Sequence, residues 1–267
     1  MKGEGNQLHH NLFDKQVIPE HDGFITDLDS ARKHGSLHGP TVSVIIPAFN
    51  EEKNVAKVLS GTIEVMDQLH LPYEIIFVDD GSTDKTALIA SSFKVNVLVN
   101  KENSGKGYSL KRGLQHASGD VIVTIDSDGE HKPKEIAPLL EAVCNGADVA
   151  AGSRFLNRHT EVTTKLNQIG NHVFNLAIMS LTGKRVTDSQ TGFRAIKRQV
   201  IEKLDLQSDG YEIETEITVK SLRGGFAFKE LPITIERRKF GASKIKLIKD
   251  GKKIAEAILT TSLIRHK

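Results

Sequence analysis

Tryptophan is absent from the 267 residues, and aromatic side chains make up only 5%. That leaves little material for a module that stacks sugars or bases on exposed rings, and no nucleic-acid partner is expected. The single cysteine, Cys144, precludes an intramolecular disulfide and points to a reducing, cytosolic compartment. No run approaches the roughly 18 consecutive apolar residues of a membrane-spanning helix. Met1 to Gln7 lack the apolar stretch of a secretory signal. Also missing are a G-x-G-x-x-G after the first strand, a Walker A loop, a G-x-S-x-G elbow, an H-E-x-x-H and a C-x-x-C. These absences disfavour a dinucleotide oxidoreductase, a P-loop enzyme, a serine hydrolase of that type and a zincin.

What is present is unevenly charged. The net charge is +2, but residues 237–267 alone carry +8, so the body is acidic at −6. A basic tail on an acidic body suggests either an anionic partner, such as a membrane surface, or a solvated helix end. Residues 1–40 are polar and hold five of the eleven histidines without ligand spacing, which reads as a mobile N-terminal extension.

From Thr41 onward apolar, β-rich runs alternate with amphipathic helical stretches. Strands are expected at Val42–Phe49, Tyr73–Val78, Val95–Val99, Val121–Ile125 and Val149–Ala151. Helices are expected near Glu51–Leu69, Lys85–Phe93, Lys106–Ala117 and Pro133–Asn145. Continuous apolar strands separated by helices give an α/β open sheet, parallel and buried on both faces, that binds ligands at the carboxyl ends of its strands. After Arg154 the rhythm fades. Helices near Asn167–Leu181, Gln199–Leu204 and Glu212–Leu222, a strand near Phe228–Glu236, and a lysine-rich amphipathic helix over Ile245–Ile264 are expected, with Gly251 a weak point in the last. The domain boundaries expected are 1–40 for the extension, 41–245 for the catalytic domain and 246–267 for the basic amphipathic segment.

The chemistry-bearing residues fall at strand ends. Asp126-Ser127-Asp128 follows the strand VIVTI and reads either as a pair of ligands for Mg²⁺ or Mn²⁺ or as a carboxylate-rich turn. Glu130 and His131 extend the candidate ligand set. Asp79 and Asp80, ahead of Gly81, suit acceptors for a nucleotide's base or ribose, while Ser82 or Thr83 equally suits a helix cap. Pro47-Ala48-Phe49-Asn50-Glu51-Glu52 closes the first strand. Asn103-Ser104-Gly105-Lys106-Gly107 opens a helix whose free N–H groups and lysine suit an anion.

Taken together and in this order, PAFNEE, VDDGSTD, NSGKG and DSDGEH resemble the inverting family 2 glycosyltransferases with the GT-A, Rossmann-like fold. The second half, with Gly152-Ser153-Arg154-Phe155, Asp188-Ser189-Gln190-Thr191-Gly192-Phe193-Arg194, Gly210-Tyr211 with Glu216, and the segment from Arg237 to Lys244, resembles the dolichyl-phosphate mannosyltransferase branch. The resemblance covers about residues 41 to 250. It implies a metal-dependent transfer of mannose, glucose or N-acetylglucosamine from a GDP- or UDP-sugar to a dolichyl or polyprenyl phosphate. The alternative is transfer to a sugar hydroxyl.

The resemblance implies that Pro47, Ala48, Phe49, Glu51, Asp79, Asp80, Lys106, Asp126, Ser127 and Arg154 surround the nucleotide sugar. Asp126, Asp128 and Glu130 would hold Mg²⁺ or Mn²⁺, Glu130 standing where mannosyl-transferring relatives carry Gln. Asp128 belongs to the reaction centre, and Arg154, Arg194, Arg238 and Lys244 would contact the acceptor phosphate or donor diphosphate. Asp188 and Glu216 would serve as base toward a hydroxyl, or merely orient those cations. Work at the cytoplasmic face of a membrane is expected, through the basic C-terminal segment or a membrane-anchoring partner subunit.

Overall fold

The structure, a computed structural model, describes residues 39–156, 165–236, 240 and 247–263. The expected N-terminal extension, Arg238 and Lys244 therefore lie outside the described residues.

The elements follow the hydrophobic pattern. In chain order they are β1 (Val42–Ala48), α1 (Val55–Leu69), β2 (Tyr73–Asp79), α2 (Thr86–Ala90), β3 (Asn96–Val99), α3 (Lys106–His116), β4 (Val121–Thr124), a 3₁₀ turn (Pro133–Glu135), α4 (Ile136–Cys144), β5 (Val149–Ser153), α5 (Lys165–Thr182), β6 (Arg194–Lys197), α6 (Arg198–Ile201), α7 (Ile213–Arg223), β7 (Phe228–Pro232) and α8 (Leu247–Leu263). They build a seven-stranded mixed sheet of order β3-β2-β1-β4-β6-β5-β7.

β1, β2, β3 and β4 are parallel, as their continuous apolar runs require. β6 runs antiparallel between β4 and β5, with Thr124 opposite Arg194. This inserted strand was not expected from its sequence, RAIK, which begins and ends on a cation. Successive β1 residues feed opposite faces of the sheet. Val44 and Ile46 enter the core shared with α1 and α4, whereas Ile45 enters the core shared with α3, α6 and α7. Pro47 is tolerated in a central strand because β4 pairs with β1 only as far as Ile45.

A third, smaller core gathers Ile178 of α5, Val219 and Leu222 of α7, and Ile254 and Ile258 of α8. The apolar stripe of the C-terminal segment thus turns inward at Ile254, Ala257 and Ile258, against the expectation that it faces a membrane. The pattern of α8 marks a face to be covered, and α5 and α7 cover it. Among the described residues no helix is long and apolar enough to cross a membrane.

The strand order reverses direction between β1 and β4, and their carboxyl ends open a crevice at that point. Phe49 to Glu51 and Asp126 to Asp128 follow strands that end there, and Asp79 is the last residue of β2.

Candidate active site

The NSGKG loop is held by the second strand's acids. Asp80 is buried. Its Oδ1 accepts from Ser104 N–H (3.0 Å) and Asn100 Nδ2 (2.7 Å), and its Oδ2 from Gly105 N–H (2.9 Å). Asp80 is therefore a loop anchor and not a group offered to a nucleotide, because its oxygens already have internal donors. Gly105 sits at φ +106°, where a side chain would also strike the Asp209 carbonyl. The adjacent Asp79 differs. One oxygen accepts from Ser82 N–H at 3.0 Å, while Oδ1 is buried and makes no hydrogen bond. Glu51 is also buried. Its N–H donates to Thr86 Oγ1 (2.7 Å), and its carboxylate accepts from Asn54 Nδ2 (2.7 Å), which fixes the turn after β1.

Lys106, in the first turn of α3, lies at the centre of the crevice. Its ammonium stands 2.5 Å from Asp126 Oδ1 and 2.9 Å from Glu214 Oε1. Burial alone would lower its pKa, but Asp126 and then Glu214 outweigh it and raise the Lys106 pKa above the ordinary lysine value. Burial likewise pushes the Asp126 carboxyl up, yet Lys106 and then His131 hold it below the ordinary aspartate value. The Gly192 backbone closes one side of this pair. A Cβ there would lie 2.7 and 2.9 Å from the Asp126 oxygens and closer still to Lys106 Nζ. Thr124 Oγ1, one strand away, fixes that backbone by donating to the Gly192 carbonyl at 2.7 Å.

Asp128 follows on the buried Ser127, and its Oδ1 accepts from the Glu130 N–H at 3.0 Å. His131 stacks on Phe193 with centroids 5.1 Å apart, and its buried Nδ1 makes no hydrogen bond and stands 4.0 Å from Asp126 Oδ2. Burial drives the His131 pKa below its ordinary value, against the pull of Asp126 and Asp128. Among the described residues no three His, Cys, Asp or Glu side chains are already gathered as a metal cage. The donor set nevertheless suits a divalent cation, since the strand-end carboxylates Asp126 and Asp128 are joined by an imidazole nitrogen, 4.0 Å from Asp126, that makes no hydrogen bond.

A second charged unit flanks the first. Arg154, just past β5, donates to Asp188 from Nε (2.7 Å), NH2 (2.8 Å) and its backbone N–H (3.1 Å). The Asp188 side chain is wholly buried, whereas that of Arg154 is 20% exposed. Both Asp188 oxygens are thus committed to a guanidinium, which corrects its expected role as a base and makes it the residue that positions Arg154.

Glu216 needs the same correction. It pairs with Lys220 at 2.7 Å and accepts from Gln207 and Ser208 N–H groups, so it ties a loop to α7. Arg194 is corrected more sharply. It is fully buried and donates to the carbonyls of Thr191, Ser189 and Glu214 and to Thr218 Oγ1. It braces the 189–191 loop from within and cannot reach a ligand in the crevice.

Glu214, the partner of Lys106, was missed from sequence. Every α7 position from Ile213 to Leu222 is buried, so no polar face distinguishes the working glutamate from its neighbours. The available signal was the run of alternate acids, Glu212, Glu214 and Glu216, at the start of a helix.

Comparison with known proteins agrees with this geometry. Residues 43–205 match the model of glycosyl transferase family 2. The chain is 33% identical to polyprenol monophosphomannose synthase of Mycolicibacterium smegmatis, covering 80% of this chain and 83% of that one. It is also 33% identical to dolichol-phosphate mannosyltransferase of Pyrococcus furiosus, over 80% of this chain and 61% of the relative. Among solved structures, glucosyl-3-phosphoglycerate synthase of Mycobacterium tuberculosis, crystallised with Mn²⁺, UDP and phosphoglyceric acid, superposes with a TM-score of 0.69. That match covers 91% of this chain and 84% of the other at 23% identity, a likeness of fold. The chain is a glycosyltransferase with the GT-A type of α/β sheet, and it belongs to glycosyl transferase family 2.

Proposed function

We propose that the chain transfers a sugar from a nucleotide-diphosphate donor to a polyprenyl phosphate, with inversion at the anomeric carbon. Relatives named for polyprenol and dolichol phosphate support the acceptor class. The observation that carries the reading against a hydroxyl acceptor is the engagement of Asp188 and Glu216, the two carboxylates expected as bases, by Arg154 and Lys220.

A phosphate monoester needs no base. Its second pKa is about 6, so it is largely dianionic near neutral pH. It needs orientation by cations, and Arg154, held rigidly yet open to the crevice, supplies one. One acceptor phosphate oxygen attacks the anomeric carbon. The bond from that carbon to the diphosphate oxygen breaks on the opposite side, and the nucleoside diphosphate leaves with the electron pair.

The buried, unpartnered Oδ1 of Asp79 is suited to accept a hydroxyl or N–H from the nucleoside. Pro47, Ala48 and Phe49, at the end of β1, would lie beside the nucleoside. Asp126 and Asp128, with Glu130 and His131 beside them, would hold Mg²⁺ or Mn²⁺, whose charge offsets that of the departing diphosphate. Lys106 places a further fixed positive charge at the same end of the crevice.

The acceptor's lipid tail requires work at a membrane surface, and the single cysteine favours the cytoplasmic face. The test is a screen of GDP-mannose, UDP-glucose and UDP-N-acetylglucosamine, each with Mg²⁺ or Mn²⁺, against polyprenyl phosphate and against free sugar acceptors. Lipid-phosphate product from one donor is the expected outcome. Product on sugar hydroxyls alone would overturn the reading.

A further inference from the structure

Helix α5 is apolar on the wrong side for a surface helix. From Asn171 to Ile178 its inner face is buried. Asn171 and Asn175 donate to the Thr187 carbonyl at 3.0 and 2.7 Å, Asn175 Oδ1 accepts from the Ser189 N–H at 3.2 Å, and Ile178 is buried with α7 and α8. Its outer face carries Ile169, Val173, Leu176 and Met179, which are 62%, 56%, 46% and 39% exposed. Their spacing of four, three and three residues puts them in one row along the helix. Single exposed apolar residues are ordinary, but an aligned row marks an interaction face.

The charges within the helix and just after it are of one sign. Between Lys165 and Thr182 there is no Asp, Glu or Arg, and the helix is followed directly by the exposed Lys184 and Arg185. At 1.5 Å per residue the 18 residues of α5 extend about 27 Å. The apolar row itself, from Ile169 to Met179, is about 15 Å long; followed by cations, it matches the boundary of an anionic bilayer, where side chains sink into the acyl region and cations meet headgroup phosphates.

We propose that the outer face of α5, with Lys184 and Arg185, is the surface by which this protein sits on an anionic membrane. The helix is joined by its asparagines to the 187–189 loop, whose Asp188 holds Arg154. With a polyprenyl phosphate as acceptor, as proposed above, docking would therefore bring the crevice cation to the depth of lipid phosphates. The proposal moves membrane contact from α8, whose stripe is packed inside, to a helix whose sequence carried no basic stripe.

The experiment is flotation of the full chain with vesicles of phosphatidylcholine plus phosphatidylglycerol, and with phosphatidylcholine alone. Three proteins are compared: wild type, V173E/L176E and K184E/R185E. Wild type should float with the mixed vesicles. V173E/L176E should bind at least about tenfold more weakly with its thermal midpoint unchanged, because both positions are exposed. K184E/R185E should lose about tenfold on mixed vesicles and little on neutral ones.

Equal flotation of wild type and V173E/L176E, or no flotation of wild type, would overturn the proposal. So would a wild-type dimer in light scattering that V173E/L176E dissociates, which would assign the face to a second copy. Activity separates this result from the acceptor reading. V173E/L176E should keep transfer to a short, water-soluble isoprenyl phosphate and lose it toward polyprenyl phosphate in vesicles. If wild type used neither acceptor, the acceptor reading would fall while flotation still judged the face.

Discussion

Replacing Asp188 with Asn isolates the charge that holds Arg154. The carboxylate is wholly buried and accepts three N–H groups of Arg154, whose side chain remains 20% exposed. Two unit charges about 4 Å apart at an effective dielectric near 20 interact by about 4 kcal/mol, and removing one partner of a buried pair commonly costs about 3–5 kcal/mol. Asn retains one carbonyl oxygen for the guanidinium but presents an NH₂ where the second oxygen stood. With Arg154 partly solvated, the loss should be about 2–3 kcal/mol, at least a thirtyfold change in the folded-to-unfolded ratio. With no tryptophan to report by fluorescence, urea unfolding followed by far-UV circular dichroism is the suitable assay. The midpoint should fall with the slope unchanged. Turnover should drop by about tenfold or more as Arg154 loses its fixed direction. A midpoint equivalent to less than about 0.5 kcal/mol from wild type would refute the reasoning, since that is the range of surface substitutions.

Three further outcomes are expected. Gly192→Ala forces a methyl group against Lys106 and Asp126, so turnover should fall at least about tenfold while the thermal midpoint shifts by only a few degrees; unchanged kinetics would remove this contact from the site. Lys106→Met deletes the cation that competes for Asp126, so turnover should fall while added Mn²⁺ raises the thermal midpoint more than it does in wild type; an equal Mn²⁺ response would show that Lys106 and metal do not share the carboxylate. Burial pushes the Glu216 carboxyl up, but Lys220 and the Ser208 and Gln207 N–H groups hold it below the ordinary glutamate value. Its contribution is present above the unfolded pKa of about 4.3 and lost as pH falls through the depressed folded value. Glu216→Gln should therefore lower the urea midpoint at pH 7 and flatten the acid limb, and identical acid limbs would contradict the assignment.

The first half of the fold was readable because β1, β2 and β4 are buried on both faces and read as unbroken apolar runs. Their ends carry the candidate site, so the grouping of Asp79, Asp126 and Asp128 with Lys106 is legible from position along the chain. The second half obeys tertiary context. Arg194 opens β6 as a buried cation held by backbone carbonyls and by Glu214, whereas sequence reads any arginine as exposed. Helix α7 is buried all round, so its periodicity hides which of its acids face the crevice. A hydrophobic stripe says that a face is covered without saying by what. For α8 the cover is α5 and α7, and the apolar face left outside belongs to α5.

The central claim is that this chain joins a sugar to a lipid phosphate with inversion. It is tested most directly by ¹H–³¹P correlation spectroscopy on the purified product of polyprenyl phosphate and the preferred nucleotide sugar. A phosphodiester phosphorus coupled to an anomeric proton of configuration opposite to the donor's is the predicted result. A product whose sugar is linked to carbon-borne hydroxyl oxygen, or whose anomeric configuration is retained, would contradict the account.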